Sequence, residues 1–137
     1  MSGFVDTNIL VRLFTQDDPE KSERCAELFQ RANQGDIELA TSEAVIAETV
    51  FVLSSPRLYA MPRAEIALLL GSLLGANSLF LDHKSAVLSA LELYGHSNLH
   101  FVDCLGVAYA RRAALPHTIY SYDRDLDLVP GIQRREP

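Results

Sequence analysis

Phe4-Val5-Asp6-Thr7-Asn8-Ile9-Leu10-Val11 is the stretch whose reading decides the fold. An apolar pair runs into a carboxylate and two small polar residues, and apolar residues resume at once. A buried strand that ends at a pocket, with a helix starting beyond it, carries this signature. In open parallel sheets, ligands bind in the crevice outside the strand ends. Three more acidic residues, Glu48, Asp103 and Asp123, stand at an element end or inside an apolar run. With Asp6 they read as four carboxylates converging on a divalent metal ion. Oxygen donors without thiol or imidazole partners suit Mg²⁺ or Mn²⁺.

Working outward, Ile9 to Phe14 reads as a short helix. Asp17-Asp18-Pro19-Glu20 starts the next one with a capping carboxylate and a proline in the first turn, and Gly35 ends it. Ile37 to Ala40 is a short strand, and Thr41-Ser42 caps a mostly apolar helix over Glu43 to Leu53. Glu48 lies in its middle, flanked by Val45 and Val52, with no lysine or arginine within one turn. It is expected to be buried, and an unpaired buried carboxylate costs several kcal/mol, so a partner is expected too. Pro62 opens a Leu-rich helix that Gly75-Ala76-Asn77 stops. Leu79-Phe80-Leu81 reads as a third buried strand, and Asp82 as the cap of a helix closed by Gly95. Asp103 begins a helix running from Cys104 to Ala114 and ended by Leu115-Pro116. Thr118 to Ser121 is a fourth strand with Asp123 just past it, Arg124 to Leu128 a helical turn, and Ile132 the start of an edge strand. Strands alternating with helices give an α/β fold with a mainly parallel sheet.

Bulk properties set the class. A chain of 137 residues fits one domain spanning 1–137, and 48% hydrophobic against 22% charged residues indicates a folded globular protein. No apolar run is long enough for a membrane span, and no basic region precedes an apolar one at the start, so no membrane association and a cytoplasmic location are expected. Cys25 and Cys104 lie far apart and read as buried packing residues. A net charge of −6 argues against a nonspecific nucleic-acid binder but not against a nuclease. His83, His96, His100 and His117 show no ligand spacing.

Four motifs in order carry a resemblance over essentially the whole chain: Val5-Asp6-Thr7-Asn8-Ile9-Leu10, Ala47-Glu48-Thr49-Val50, Phe101-Val102-Asp103-Cys104-Leu105, and Ser121-Tyr122-Asp123-Arg124-Asp125-Leu126. The chain resembles PIN-domain ribonucleases, specifically the VapC-type toxins of bacterial toxin–antitoxin pairs. The resemblance implies a three-layer α/β/α fold around a sheet of about four or five short strands. It also implies a metal-dependent endoribonuclease in which Asp6, Glu48, Asp103 and Asp123 are both catalytic and metal-binding, supported by Thr7, Asn8 and Ser121. Serine replaces the family's usual threonine at 121 and cysteine its frequent alanine at 104, and neither change removes a carboxylate. An RNA substrate, a cognate antitoxin and a homodimer are implied in the same way.

Other readings stand beside this one. Taken alone, Asp6 and Asp103 read more readily as helix caps than as ligands, and Asp123 reads as readily as a turn residue. Asp125 and Asp127 are nearby acids suited to solvent, capping or auxiliary roles. An aspartyl phosphotransferase or phosphatase using Asp6 would normally carry a second aspartate two residues on, where Asn8 stands. A non-catalytic binding module would not need the full acidic set. Arg57, Arg63, Lys84, Arg111, Arg112 and Arg124 are the candidates for RNA-phosphate contacts, since an acidic protein needs local positive charge beside such a site.

Overall fold

The strands are short and the helices long. In a computed structural model describing residues 2–113 and 117–137, the order is β1 (Ser2–Phe4), α1 (Thr7–Phe14), α2 (Pro19–Asn33), β2 (Glu38–Ala40), α3 (Glu43–Ser54), α4 (Arg63–Gly75), α5 (Lys84–Gly95), α6 (Phe101–Arg112), β3 (Thr118–Tyr120), a 3-10 helix (Arg124–Leu128) and β4 (Gln133–Arg135). The fold is mixed α/β, and its strand pairings are parallel, as expected.

β1 pairs with β2 in the register Ser2–Glu38, Gly3–Leu39, Phe4–Ala40, and β3 pairs with β4 from Thr118–Gln133 to Tyr120–Arg135. The third strand shrinks to a single parallel bridge between Ala40 and Phe80. Its backbone is nevertheless tied in: the Phe80 amide donates to Leu39 O and the Thr41 amide to Phe80 O. Leu79 is buried while Phe80 is 60% exposed, so this segment is an edge rather than a buried strand. β1 is likewise an exposed edge, and the chain turns inward only at Val5.

Local signals explain several helix ends. Asp18 accepts from the Lys21 amide with Pro19 behind it, and Ser42 accepts from the Val45 amide. Gly35 leaves α2 at a φ of 83°, a left-handed turn that glycine adopts at little cost. Two starts differ from expectation. α5 begins at Lys84 behind His83, which has left-handed backbone at φ 56° and makes no side-chain cap, so Asp82 is not the cap. α6 begins at Phe101, so Asp103 is a first-turn residue and caps nothing. The expected end of that helix at Leu115-Pro116 lies outside the described residues.

The core is a helix-lined interior. Leu10, Ile46, Leu53, Ile66, Leu70 and Val87 are almost fully buried and belong to one continuous apolar cluster. α4 packs on α5 and α5 on α6, while α3 touches α1, α4 and α6. The α4–α5 approach is close at Gly95, where a Cβ would stand 3.0 Å from that of Ala67.

Candidate active site

Asp6 ends the β1 segment and opens α1. Its Oδ1 accepts from the Thr7 amide at 2.8 Å, and Asp6 O accepts from the Ile9 amide. The capping reading is therefore correct for Asp6, but one oxygen satisfies it. Among the described residues no donor reaches Oδ2.

Glu48 is exposed, contrary to expectation. The apolar helix α3 is not buried all round: Ala44, Glu48 and Phe51 form an outward stripe one turn apart, while Val45, Ile46, Thr49, Val50 and Leu53 face the core. The side-chain partner of Glu48 among the described residues is a hydroxyl rather than a charge. Thr7 is buried, and its Oγ1 donates to Glu48 Oε2 at 2.9 Å, bridging 41 positions of sequence. Asp6 and Glu48 line one cavity of about 310 Å³ with Thr7, Asn8, Arg12 and Tyr59.

Asp103 and Asp123 form a second pair. Asp103 projects from the first turn of α6, half-buried, and α6 packs against β3, which leads to Asp123. Burial raises the Asp103 carboxyl above its ordinary pKa, and the charges of Asp123 and Asp125 push in the same direction while His100 opposes them. Asp123 caps the 3-10 helix, its Oδ1 accepting from the Asp125 amide at 2.9 Å. Ser121 Oγ accepts from the Asp123 amide at 3.0 Å. The loop is clasped from β4. Arg134 donates to Ser121 O, to both Asp127 oxygens and to Glu136, with only 13% of its side chain exposed. Asp127 is thereby a structural partner, whereas Asp125 adds its charge to the acidic pair.

The acidic residues thus gather as Asp6 with Glu48 and as Asp103 with Asp123, linked through α3, which touches both α1 and α6. Among the described residues, no three carboxylate, imidazole or thiol groups close around one point. The donor chemistry fits a hard divalent cation. The four acids offer oxygens, and the repulsion that Asp123 and Asp125 add at Asp103 is what a positive ion would relieve.

A model of the PIN domain matches residues 3–132. The chain belongs to the PIN-domain family. Among proteins with curated descriptions, none matches it. PIN domains are typically Mg²⁺-dependent nucleases, so a metal-dependent nuclease is the activity that membership carries. No helix among the described residues of this PIN domain is long and apolar enough to cross a membrane.

The basic candidates divide. Arg63 is committed to the fold: its Nη1 donates to Tyr94 O at 3.1 Å and Leu99 O at 2.8 Å, and its guanidinium lies 4.2 Å from the Tyr94 ring centroid. Arg111 donates to Pro130 O, and Arg112 to Ser85 Oγ. Arg57, Lys84 and Arg124 make no side-chain hydrogen bond or ion pair among the described residues. Sequence reasoning missed Arg12 and Tyr59, which wall the Asp6–Glu48 cavity. Both are held by Asp17, which accepts from Tyr59 Oη at 2.7 Å, Arg12 Nη1 at 3.0 Å and Thr15 Oγ1 at 3.1 Å. Arg12 sits one helical turn after Asn8, a spacing that could have revealed it. Tyr59 gave no local signal, because its contact with Asp17 spans 42 positions.

Proposed function

We propose that this PIN domain is a metal-dependent endoribonuclease and the toxin of a toxin–antitoxin pair. The observation that carries the nuclease reading is the meeting of Asp6 and Glu48 in one open cavity, from separate helices, through the Thr7 hydroxyl. Asp6, Glu48, Asp103 and Asp123 would hold Mg²⁺ or Mn²⁺. There the ion would supply Lewis-acid polarisation of a phosphodiester and activation of water.

The chain's own residues supply the orientation. The buried Thr7 fixes the Glu48 carboxylate, and the Thr7 amide fixes that of Asp6, leaving one oxygen of each free for a ligand. Ser121 and Arg134 hold the loop that bears Asp123. Burial and the neighbouring Asp123 make Asp103 harder to ionise than an ordinary carboxyl.

The toxin role, the RNA substrate, a homodimer, a cognate antitoxin and a cytoplasmic location belong to the same reading and rest on the motif resemblance. A separate groove of about 520 Å³, bordered by the exposed Phe51 and Val102 together with Arg63 and His100, contains none of the four carboxylates. The test is cleavage of RNA by the purified protein with Mg²⁺ or Mn²⁺ and with EDTA. Cleavage needing the ion and lost in Asp6→Asn is expected, and full activity surviving in EDTA overturns the metal-dependent reading. Expressed alone in bacteria, the wild type should arrest growth and Asp6→Asn should not; equal toxicity would refute the nuclease as its cause.

A further inference from the structure

Asn8 and Arg12 line two cavities at once. One is the Asp6–Glu48 pocket; the other, of about 440 Å³, lies between α1 and α2, where Ile9, Cys25, Lys21 and Arg24 complete the wall. The charged side chains lining this second groove are all cationic. That is unexpected in a protein with 12 Lys and Arg against 18 Asp and Glu. Lys21 and Arg24 are three residues apart on α2 and so share a face, and Arg12 reaches the groove from the opposite wall on α1.

Each of these cations has an acidic neighbour. Arg12 pairs with Asp17 at 3.0 Å, Lys21 with Asp18 at 3.8 Å and Arg24 with Glu20 at 2.7 Å. None of the three acids lines the groove. The Arg24–Glu20 pair is solvent-exposed and the other two are partly so, and surface pairs contribute only about 0–1 kcal/mol. A bound phosphate can therefore replace or share each partner at little cost. The acids aim the cations without neutralising the groove irreversibly.

We infer that the α1–α2 groove is a backbone-binding track for single-stranded RNA, in which Arg12, Lys21 and Arg24 contact phosphates flanking the one presented to Asp6 and Glu48. The inference rests on the ribonuclease reading for its choice of ligand. Asn8 and Arg12 form the shared wall over which the strand passes from the track into the acidic pocket. A cationic groove that follows a backbone binds without sequence preference and with marked salt dependence. The track sets strand placement and leaves base choice to other contacts.

The test is binding of a fluorescent single-stranded RNA oligonucleotide in EDTA, titrated over a series of salt concentrations. Lys21→Gln/Arg24→Gln is compared with Arg31→Gln/Arg135→Gln, which removes the same charge from exposed positions outside the groove. Each lost phosphate contact on a single strand lowers the salt slope of log K by about 0.7, so the groove variant should flatten it by about 1.4. A tenfold rise in salt then narrows its deficit about 25-fold. Arg12→Gln should flatten the slope by a further step, and Lys21→Arg/Arg24→Lys should restore it. Any repulsion from the acidic pocket is common to the wild type and the double variants, whereas Arg12→Gln also removes a positive charge from that pocket. Equal flattening in both double variants, no flattening in the groove variant, or no RNA binding by the wild type overturns the track. A flattened slope in a protein that cleaves no RNA with any divalent ion would instead retire the ribonuclease reading and leave the track standing.

Discussion

Arg63→Met keeps most of the apolar stem of Arg63 and deletes its guanidinium, which makes it a sharp test of what that side chain does. The guanidinium donates to two backbone carbonyls, Tyr94 O and Leu99 O, at the junction between α5 and α6, and stacks on the Tyr94 ring. Tyr94 and Leu99 are buried, so both carbonyls lose a donor where water is scarce. Hydrogen bonds from a charged donor contribute about 1.5–3 kcal/mol each, and a cation over an aromatic face about 0.5–1 kcal/mol at a partly exposed site. Arg63 itself is only half-buried, so water recovers part of the loss and a net cost of about 2–4 kcal/mol is expected. For 137 residues at about 2.1 cal/mol/K each, the unfolding entropy is about 0.29 kcal/mol/K, and Tm should fall by about 7–14 °C. The assay is a thermal melt followed by circular dichroism, beside the salt titration of RNA binding. Arg63→Lys keeps the charge without the planar fork and should recover little of the Tm. A melt within about 2 °C of wild type together with a flattened salt slope would make Arg63 a phosphate contact and refute its structural assignment.

Thr7→Val preserves shape and removes the hydroxyl that orients Glu48. It should change stability by about 1 kcal/mol or less, yet raise the metal concentration needed for cleavage about 10–100-fold. An unchanged metal titration would show that Glu48 needs no such support. Asp103 has a raised carboxyl pKa, so its contribution to stability is fully present below the unfolded pKa and is lost as pH rises through the folded one. At neutral pH in EDTA, Asp103→Asn should therefore melt at or above wild type, with the gap closing in acid, and should gain much less from Mn²⁺. A mutant melting well below wild type at neutral pH without metal refutes this. Cys104 is buried with its thiol pushed up to about 11, and burial also raises Cys25. Cys104 should not react with a thiol reagent in the native state near neutral pH, and fast labelling there would contradict the packing described.

The parts of the fold legible in the sequence are those whose cause is local. Asp18-Pro19 and Ser42 announce helices because the capping bond lies within three residues. The four carboxylates stood out because a charge next to apolar residues has few purely local explanations. What binds them together was not legible. Thr7 looked like a polar neighbour of Asp6, and only the docking of α1 on α3 turns it into the support of Glu48. Glu48 was misread as buried because α3 is apolar on nearly every side, and which stripe faces outward is settled by what packs against it. The same holds for Leu79 to Leu81, where strand-like composition yields one bridge because no further strand pairs beyond Phe80 among the described residues. Arg63 and Arg12 are indistinguishable as letters. Both border a cavity, but Arg63 is spent on backbone carbonyls of buried residues and Arg12 on a carboxylate, Asp17.

The clasp at Arg134 bears on how this protein would lose its activity. Asp123 rides on a small unit of β3, the 3-10 helix and β4, whose strands pair with each other and with neither β1 nor β2. Proteins open in such units at free energies below that of global unfolding. Amide exchange should therefore report an opening of residues 118–135 ahead of the helical core, and each such event takes one carboxylate away while the other three stay in place. Activity would then fade on warming before the helical signal does. An ion held jointly by Asp123 and the helical carboxylates would slow that exchange, since it binds only the closed form. The last few residues of the chain, far from Asp6 in sequence, thus govern how long the acidic set stays whole.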